Sequence, residues 1–291
     1  MLLKTKVKNE IQHKEFYNHY DPNFKALEIP TGVEMISANS FSGCDDIEEL
    51  IIPASVHIIG RYSFEKCTNL KRVILSEGLL KIGKDAFSGC TALKNINLPD
   101  SLEKIRSGAF RGTGITEINI PPKVTIINEA TFENCQQLKV VTAENIKSVK
   151  QSAFKNCCSL ILLNIFKDGF QKVHDKAFAG CIKLKQVILP NSCTSIGAYA
   201  FGSSGIQHFD FPKKIKIVER GLFSDCTDLV SVDLTDQIEH VKTYAFYDCE
   251  KLHNLNVPAD IKTIDEDAFT HCNNLDIKII HDMNARCQQN N

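Results

Sequence analysis

Apolar residues return along this chain in a fixed two-part phrase. The first part reads Leu-x-x-Ile-x-Leu-Pro: Leu93-Lys-Asn-Ile96-Asn-Leu98-Pro99, Ile115-Thr-Glu-Ile118-Asn-Ile120-Pro121, Leu184-Lys-Gln-Val187-Ile-Leu189-Pro190 and Leu252-His-Asn-Leu255-Asn-Val257-Pro258. Alternation at its end, with β-branched residues in the inward places, predicts a short strand, and the proline ends it because it has no N–H for a ladder. The second part reads Ile-x-x-Ile-x-x-x-Ala-Phe, as in Leu102-Glu-Lys-Ile105-Arg-Ser-Gly-Ala109-Phe110 and Ile238-Glu-His-Val241-Lys-Thr-Tyr-Ala245-Phe246. Its phenylalanine recurs at 41, 64, 87, 110, 132, 154, 178, 201, 223, 246 and 269, in steps of 22, 23 or 24 residues.

Eleven copies therefore cover residues 24–274, followed by a partial unit. One copy alone cannot fold, since ordering costs roughly 1–2 kcal/mol per residue and each phrase has only a few apolar side chains. Stacking solves this, because each apolar row then covers the next. The pattern predicts a β-rich, right-handed solenoid, with parallel short strands on its concave face and short strands, turns or 3-10 segments on its convex face. Residues 1–23 are expected to form an N-terminal cap, an amphipathic helix through Leu3, Val7, Ile11 and Phe16. Residues 275–291 are expected to add a terminal strand, Leu275-Asp-Ile277-Lys-Ile279-Ile280, and a polar tail.

The words "LKNINLPDSLEKIRSGAF" (93–110) and "LKQVILPNSCTSIGAYAFGSSG" (184–205) closely resemble the BspA-like leucine-rich repeat, a 23-residue class also described from treponemal surface proteins. The resemblance covers nearly the whole chain. It implies a leucine-rich repeat fold and, for many members, adhesion or host-protein binding; it does not name a ligand.

Nine of the twelve cysteines sit three residues after the repeat phenylalanine. Two copies lack one: Phe110-Arg-Gly-Thr113-Gly114 and Phe201-Gly-Ser-Ser204-Gly205 are one residue shorter before the next strand and carry a glycine there, read as permitting a tighter, positive-φ turn. Cysteine thus reads as a small buried turn filler, with Thr113 and Ser204 standing in by size. Labile oxidation and metal binding are the alternatives; there is no Cys-x-x-Cys pair for zinc, and parallel side chains in neighbouring coils do not suit a disulfide. Cys158 and Cys193 lie outside the repeat place, and Cys287, in "NARCQQNN", is the thiol expected to be exposed.

The composition changes little. Of 291 residues, 43% are hydrophobic and 24% charged, as in an ordinary globular protein, and the net charge of −1 gives no field to recruit nucleic acid or anionic membrane. The opening "MLLKTKVKNEIQHKEF" has three apolar residues before the first lysine, shorter than a signal-peptide core, and no stretch predicts membrane insertion. The expectation is a cytoplasmic protein, with the cell surface by a non-classical route as the alternative. No phosphate-cradling, nucleophile-elbow or His-Glu-x-x-His motif occurs, and the nine histidines are scattered singly. Neither a catalytic site, nor a cofactor, nor a metal is expected. His271-Cys272 reads as a variable turn position beside a repeat thiol, not as a couple.

The outward positions of the first phrase remain as the binding surface. One column holds Glu49, Arg72, Asn95, Glu117, Val140, Leu162, Gln186, His208, Ser231 and Asn254. Its N-terminal half is basic around Lys71, Arg72 and Lys94, and its middle turns apolar at Val140, Ile161 and Leu162, where the repeat is irregular and runs into "NIFKDGFQKV" at 164–173. Arg72, Asn95, Glu117, Val140, Ile161, Leu162, Gln186 and His208 are the candidate partner-binding residues. Against this stands the reading in which the irregular coil repacks and buries its apolar members. The function expected is a non-enzymatic protein-interaction scaffold within the cell, with a surface adhesin as the close alternative and a regulatory or enzyme-associated module as a distant one.

Overall fold

The structure, a computed structural model, describes residues 10–11, 20–21, 25–256 and 258–289. Each repeat makes one coil with three sides. The first phrase forms a row of parallel strands: Ala26–Glu28, Glu49–Ile52, Arg72–Leu75 and Asn95–Ile96 pair in order, as do Glu117–Ile120, Val140–Ala143 and Leu162–Asn164, and then His208–Asp210, Ser231–Asp233 and Asn254–Leu255. Strands Glu49–Ile52 and Glu117–Ile120 stop against Pro53 and Pro121, as the missing N–H requires. Val257, the expected strand end before Pro258, lies outside the described residues. In the copy beginning at Leu184 the strand shrinks to one bridge, Gln186 to His208.

The second phrase forms the second side, two residues per coil, from Met35–Ile36 to Lys104–Ile105, from Ile126–Ile127 to Ser195–Ile196, and from Ile217–Val218 to Thr263–Ile264. Its two breaks fall at the two shortened copies. At the first, Asn128 Nδ2 bridges the gap by donating to the Ile105 carbonyl at 2.6 Å. The glycines there act differently from the expectation. Neither Gly114 nor Gly205 has a positive φ. Instead, a Cβ at Gly114 would fall 2.3 Å from the Thr91 carbonyl oxygen, and one at Gly205 would fall 2.1 Å from that of Ile182. Losing a residue draws the backbone onto the preceding coil, and only glycine fits that close approach.

The third side is built of turns. Two residues before and two residues after each phenylalanine from Phe41 to Phe246, the backbone enters the left-handed region, at glycines such as Gly43 (φ 72°) but also at Lys66 (φ 59°), Ala130 (φ 53°) and Tyr244 (φ 61°). This lets the phenylalanine N–H point along the solenoid axis, where it donates to the next coil: Phe64 to Ala86, Phe154 to Ala177 and Phe178 to Ala200, each at 2.8 Å. The eleven rings stack in one column, with centroids 5.1 to 5.7 Å apart and planes within 3° to 15°. Parallel offset stacking adds to the burial of rings that are almost wholly withdrawn from water.

Beside them runs a thiol ladder. Eight repeat cysteines donate Sγ–H to the phenylalanine carbonyl of the preceding coil at 3.0 to 3.2 Å. Each such carbonyl also accepts the N–H of the residue three places on in its own coil, as Phe64 does from Cys67 at 3.3 Å and Phe110 from Thr113 at 3.2 Å. None of the twelve cysteines is bridged in a disulfide among the described residues. In the shortened copies hydroxyls stand in: Thr113 Oγ1 lies 3.3 Å from Cys135 Sγ, and Ser204 Oγ lies 3.5 Å from Cys226 Sγ.

Both ends depart from expectation. Within residues 1–23 the described pieces are strands: Glu10–Ile11 pairs in parallel with Met35–Ile36, and Tyr20–Asp21 pairs antiparallel with Ala26–Leu27. Ile11 thus lies in a strand and not in a helix, because the open sheet edge offers it a ladder; Leu3, Val7 and Phe16 lie outside the described residues. At the other end the expected strand from Leu275 is an α-helix, Ile277–Gln289. Asp276 Oδ1 caps it by accepting from the Lys278 N–H at 2.9 Å. Ile279, Ile280, Met283 and Cys287 recur at helical spacing, and Met283 is fully buried against the last coil. The helical period outcompeted the shorter alternation at 275–279. Cys287 is therefore half-buried, like Cys44 and Cys158, and not the singly exposed thiol expected of a tail.

Candidate functional site

In a two-residue period, the side chains that do not enter the core all emerge on the other face of the sheet. Register brings the expected positions into one column there: Arg72 pairs with Asn95, Glu117 with Val140, Val140 with Leu162, and Gln186 with His208. Ile161 precedes Leu162, and its N–H is held by the Lys139 carbonyl at 3.0 Å. The column is interrupted between Asn95 and Glu117 and between Leu162 and Gln186, where no strand pairing occurs among the described residues.

The apolar middle stays in water. Ile161 is 56% exposed and Leu162 51%, while Leu163 turns toward the core, so the irregular coil does not bury its outward pair. Ile188, one coil further on and outward by the same alternation, is 73% exposed and stands two strand positions beyond the Leu162 column. The column of Ile188 also holds Ile51 and Ile74, both half-buried, and the polar Asn97, Asn119, Asn164 and Asp210 in other copies. Beneath the patch, Phe166 from the insertion sets its edge against Phe170 and Phe178, with centroids at 4.7 and 6.0 Å. The extra ring fills the enlarged coil from within and leaves Ile161 and Leu162 outside.

Charge frames this patch. Exposed Lys139 and Lys185 flank it. Toward the N-terminus, Glu48 is clamped between Lys25 and Lys71 at 2.7 and 2.6 Å, and these hydrogen bonds hold its carboxyl down at about 2. Arg72 lies 3.6 Å from Glu49. Toward the C-terminus, His208 Nδ1 meets Ser231 Oγ at 2.7 Å, and Asp210 faces Asp233 in register.

Among the described residues, His271 and Cys272 do not form a couple. His271 Nδ1 meets Asp248 at 2.6 Å, whereas the neighbouring Cys272 thiol points at the Phe246 carbonyl. Burial pushes the Cys67 thiol up to about 12 and those of Cys135 and Cys226 up to about 11, which keeps them from acting as thiolate nucleophiles. Among the described residues, no group of three His, Cys, Asp or Glu is placed to hold a metal ion, and no helix is long and apolar enough to cross a membrane.

Comparison with known proteins agrees with this geometry. The family model of the BspA type leucine rich repeat region matches in 6 copies, over residues 9–139, 58–168 and 147–276. A leucine-rich repeat protein from Bacteroides ovatus superposes with a TM-score of 0.69 at 26% identity, over 94% of this chain and 79% of the other. The pneumococcal vaccine antigen PcpA gives 0.55 at 18% identity (89% and 76%), and a leucine-rich repeat protein from Eubacterium ventriosum gives 0.53 at 21% (86% and 85%). The last two share the fold. No curated protein matches the sequence.

Proposed function

We propose, for a chain that belongs to the BspA-type leucine-rich repeat family, a non-enzymatic scaffold that binds a protein partner on the outward face of the first-phrase sheet. The observation that carries this reading is the exposed pair Ile161 and Leu162, with half-buried Val140 in register beside Leu162, on an otherwise polar face. Contiguous apolar groups inside a polar rim are what a protein interface desolvates first. Lys139 and Lys185 at the margin favour a partner that presents an apolar anchor with acidic neighbours. The polar positions Arg72, Asn95, Glu117, Gln186 and His208 then supply register and rim hydrogen bonds. No step of chemistry is assigned to this face.

Affinity capture with the wild-type chain and with Leu162→Glu, compared by quantitative mass spectrometry, tests the reading. Leu162 is half in water, so the variant should melt with the wild type while losing its partner about tenfold or more, as an interface anchor does. Equal recovery of the same partner by both proteins would overturn the proposal. Whether that partner is met inside the cell or at its surface is read by protease shaving of intact cells: loss of the tagged chain places the module outside, as an adhesin.

A further inference from the structure

We propose that the turn face carries a second site, independent of the strand face: a cleft for a neutral saccharide between Tyr199, Tyr244 and Tyr247. The positions two residues before each phenylalanine form a row up this face, reading Lys176, Tyr199, Gly221 and Tyr244. Gly221 is the gap in that row. A Cβ there would fall 2.1 Å from Tyr199 Cε1, so the Tyr199 ring occupies the place a side chain at 221 would take. The positions just after the phenylalanine are small in the same coils, Gly202 and Ser224, before Tyr247 rises in the next. The outcome is a cavity of about 280 Å³ walled by the three rings, with Ser224 and Asp225 supplying its polar groups. Tyr244 and Tyr247 meet edge to face at 5.5 Å, which presents two ring surfaces nearly at right angles.

Aromatic walls accept either a cation or the C–H face of a sugar ring. The chain's own charges decide between them. Lys176 already sits over Tyr199 at 5.9 Å and Arg220 over Tyr244 at 5.8 Å. A cationic ligand would meet two like charges against the single Asp225 carboxylate, whereas a neutral polyhydroxylated ring meets no net repulsion. Its hydroxyls also find what they need: the exposed Asp225 carboxylate, which makes no ion pair or hydrogen bond among the described residues, accepts from them, and the Ser224 hydroxyl can donate or accept. The other coils present no such combination of three tyrosines around a glycine gap.

The full chain should be screened on an array of neutral hexose and N-acetylhexosamine oligosaccharides, and the best binder titrated by calorimetry. Tyr244→Ala and Asp225→Asn should each weaken binding about tenfold, while Leu162→Glu leaves it unchanged. Asp225→Asn, isosteric at an exposed position, should melt with the wild type and so separates ligand contact from folding. Three results would overturn the proposal: no oligosaccharide bound at millimolar concentration, binding that survives Tyr244→Ala, or tetramethylammonium bound with the same dependence on Tyr244.

Discussion

Removing one ring from the middle of the phenylalanine column tests how this molecule is held together. Phe178 is fully buried, stacked on Phe154 at 5.3 Å and on Phe201 at 5.7 Å, with the edge of Phe166 at 6.0 Å. Truncating a buried phenylalanine costs about 3–5 kcal/mol. The neighbouring rings contribute about 0.5–1.5 kcal/mol per pair within such totals, so three lost pairs place Phe178→Ala near about 5 kcal/mol. Phe269 is the control: 8% exposed and stacked only on Phe246, it should cost nearer about 3 kcal/mol. Because each coil touches only its neighbours, the central loss cannot be spread along the array. Urea denaturation followed by hydrogen exchange should show peptides around 154–201 opening first and the two flanking blocks parting into separate transitions. One unchanged transition for Phe178→Ala, or an equal cost at Phe269, would refute the reasoning.

The thiol ladder sets a ceiling on pH. The unfolded chain releases thiol protons near 9.0, but the folded Cys67, Cys135 and Cys226 keep theirs until about 11 to 12. Stability should therefore be level from about neutral pH to about pH 9 and fall from there toward pH 12, and a melting temperature constant to pH 11 would contradict this. An aromatic disulfide reagent should label the half-exposed Cys44, Cys158 and Cys287 quickly in the native protein and the remaining cysteines only after denaturation, so rapid labelling of all twelve would show that the ladder is open. Gly205→Ala, forced against the Ile182 carbonyl, should destabilise by about 1–3 kcal/mol, while Ala130→Gly, relieving a left-handed alanine, should stabilise by up to about 1 kcal/mol in the same denaturation assay. Opposite signs in either variant would break the backbone account.

The coils were legible because each phrase states its own burial twice, once by period and once by repetition. Phe-x-x-Cys could be read as packing before any contact was known, and the outward column from Arg72 to His208 followed from alternation alone. What escaped lies where the repetition stops. Ile277–Gln289 carries two periods at once, and only its cap at Asp276 and its docking on the last coil select the helix. Gly114 and Gly205 looked like turn residues because local sequence cannot report how near the previous coil passes. The exposure of Ile161 and Leu162 depended on Phe166, a contact made across the coil interior. The tyrosine cleft needed three separate repeats to be aligned before its missing side chain at Gly221 became visible.

A stack of like coils has no length of its own, since every finished coil offers the backbone template for another. Here the C-terminal helix ends that series: it lays Ile279, Ile280 and Met283 across the end of the last coil and offers no strand to continue it. Cutting the chain after Asp276 would expose this apolar end and the free rim of Thr263–Ile264 together. Shortened chains should then join end to end, so the thirteen residues of the helix act as a stopper against filament growth.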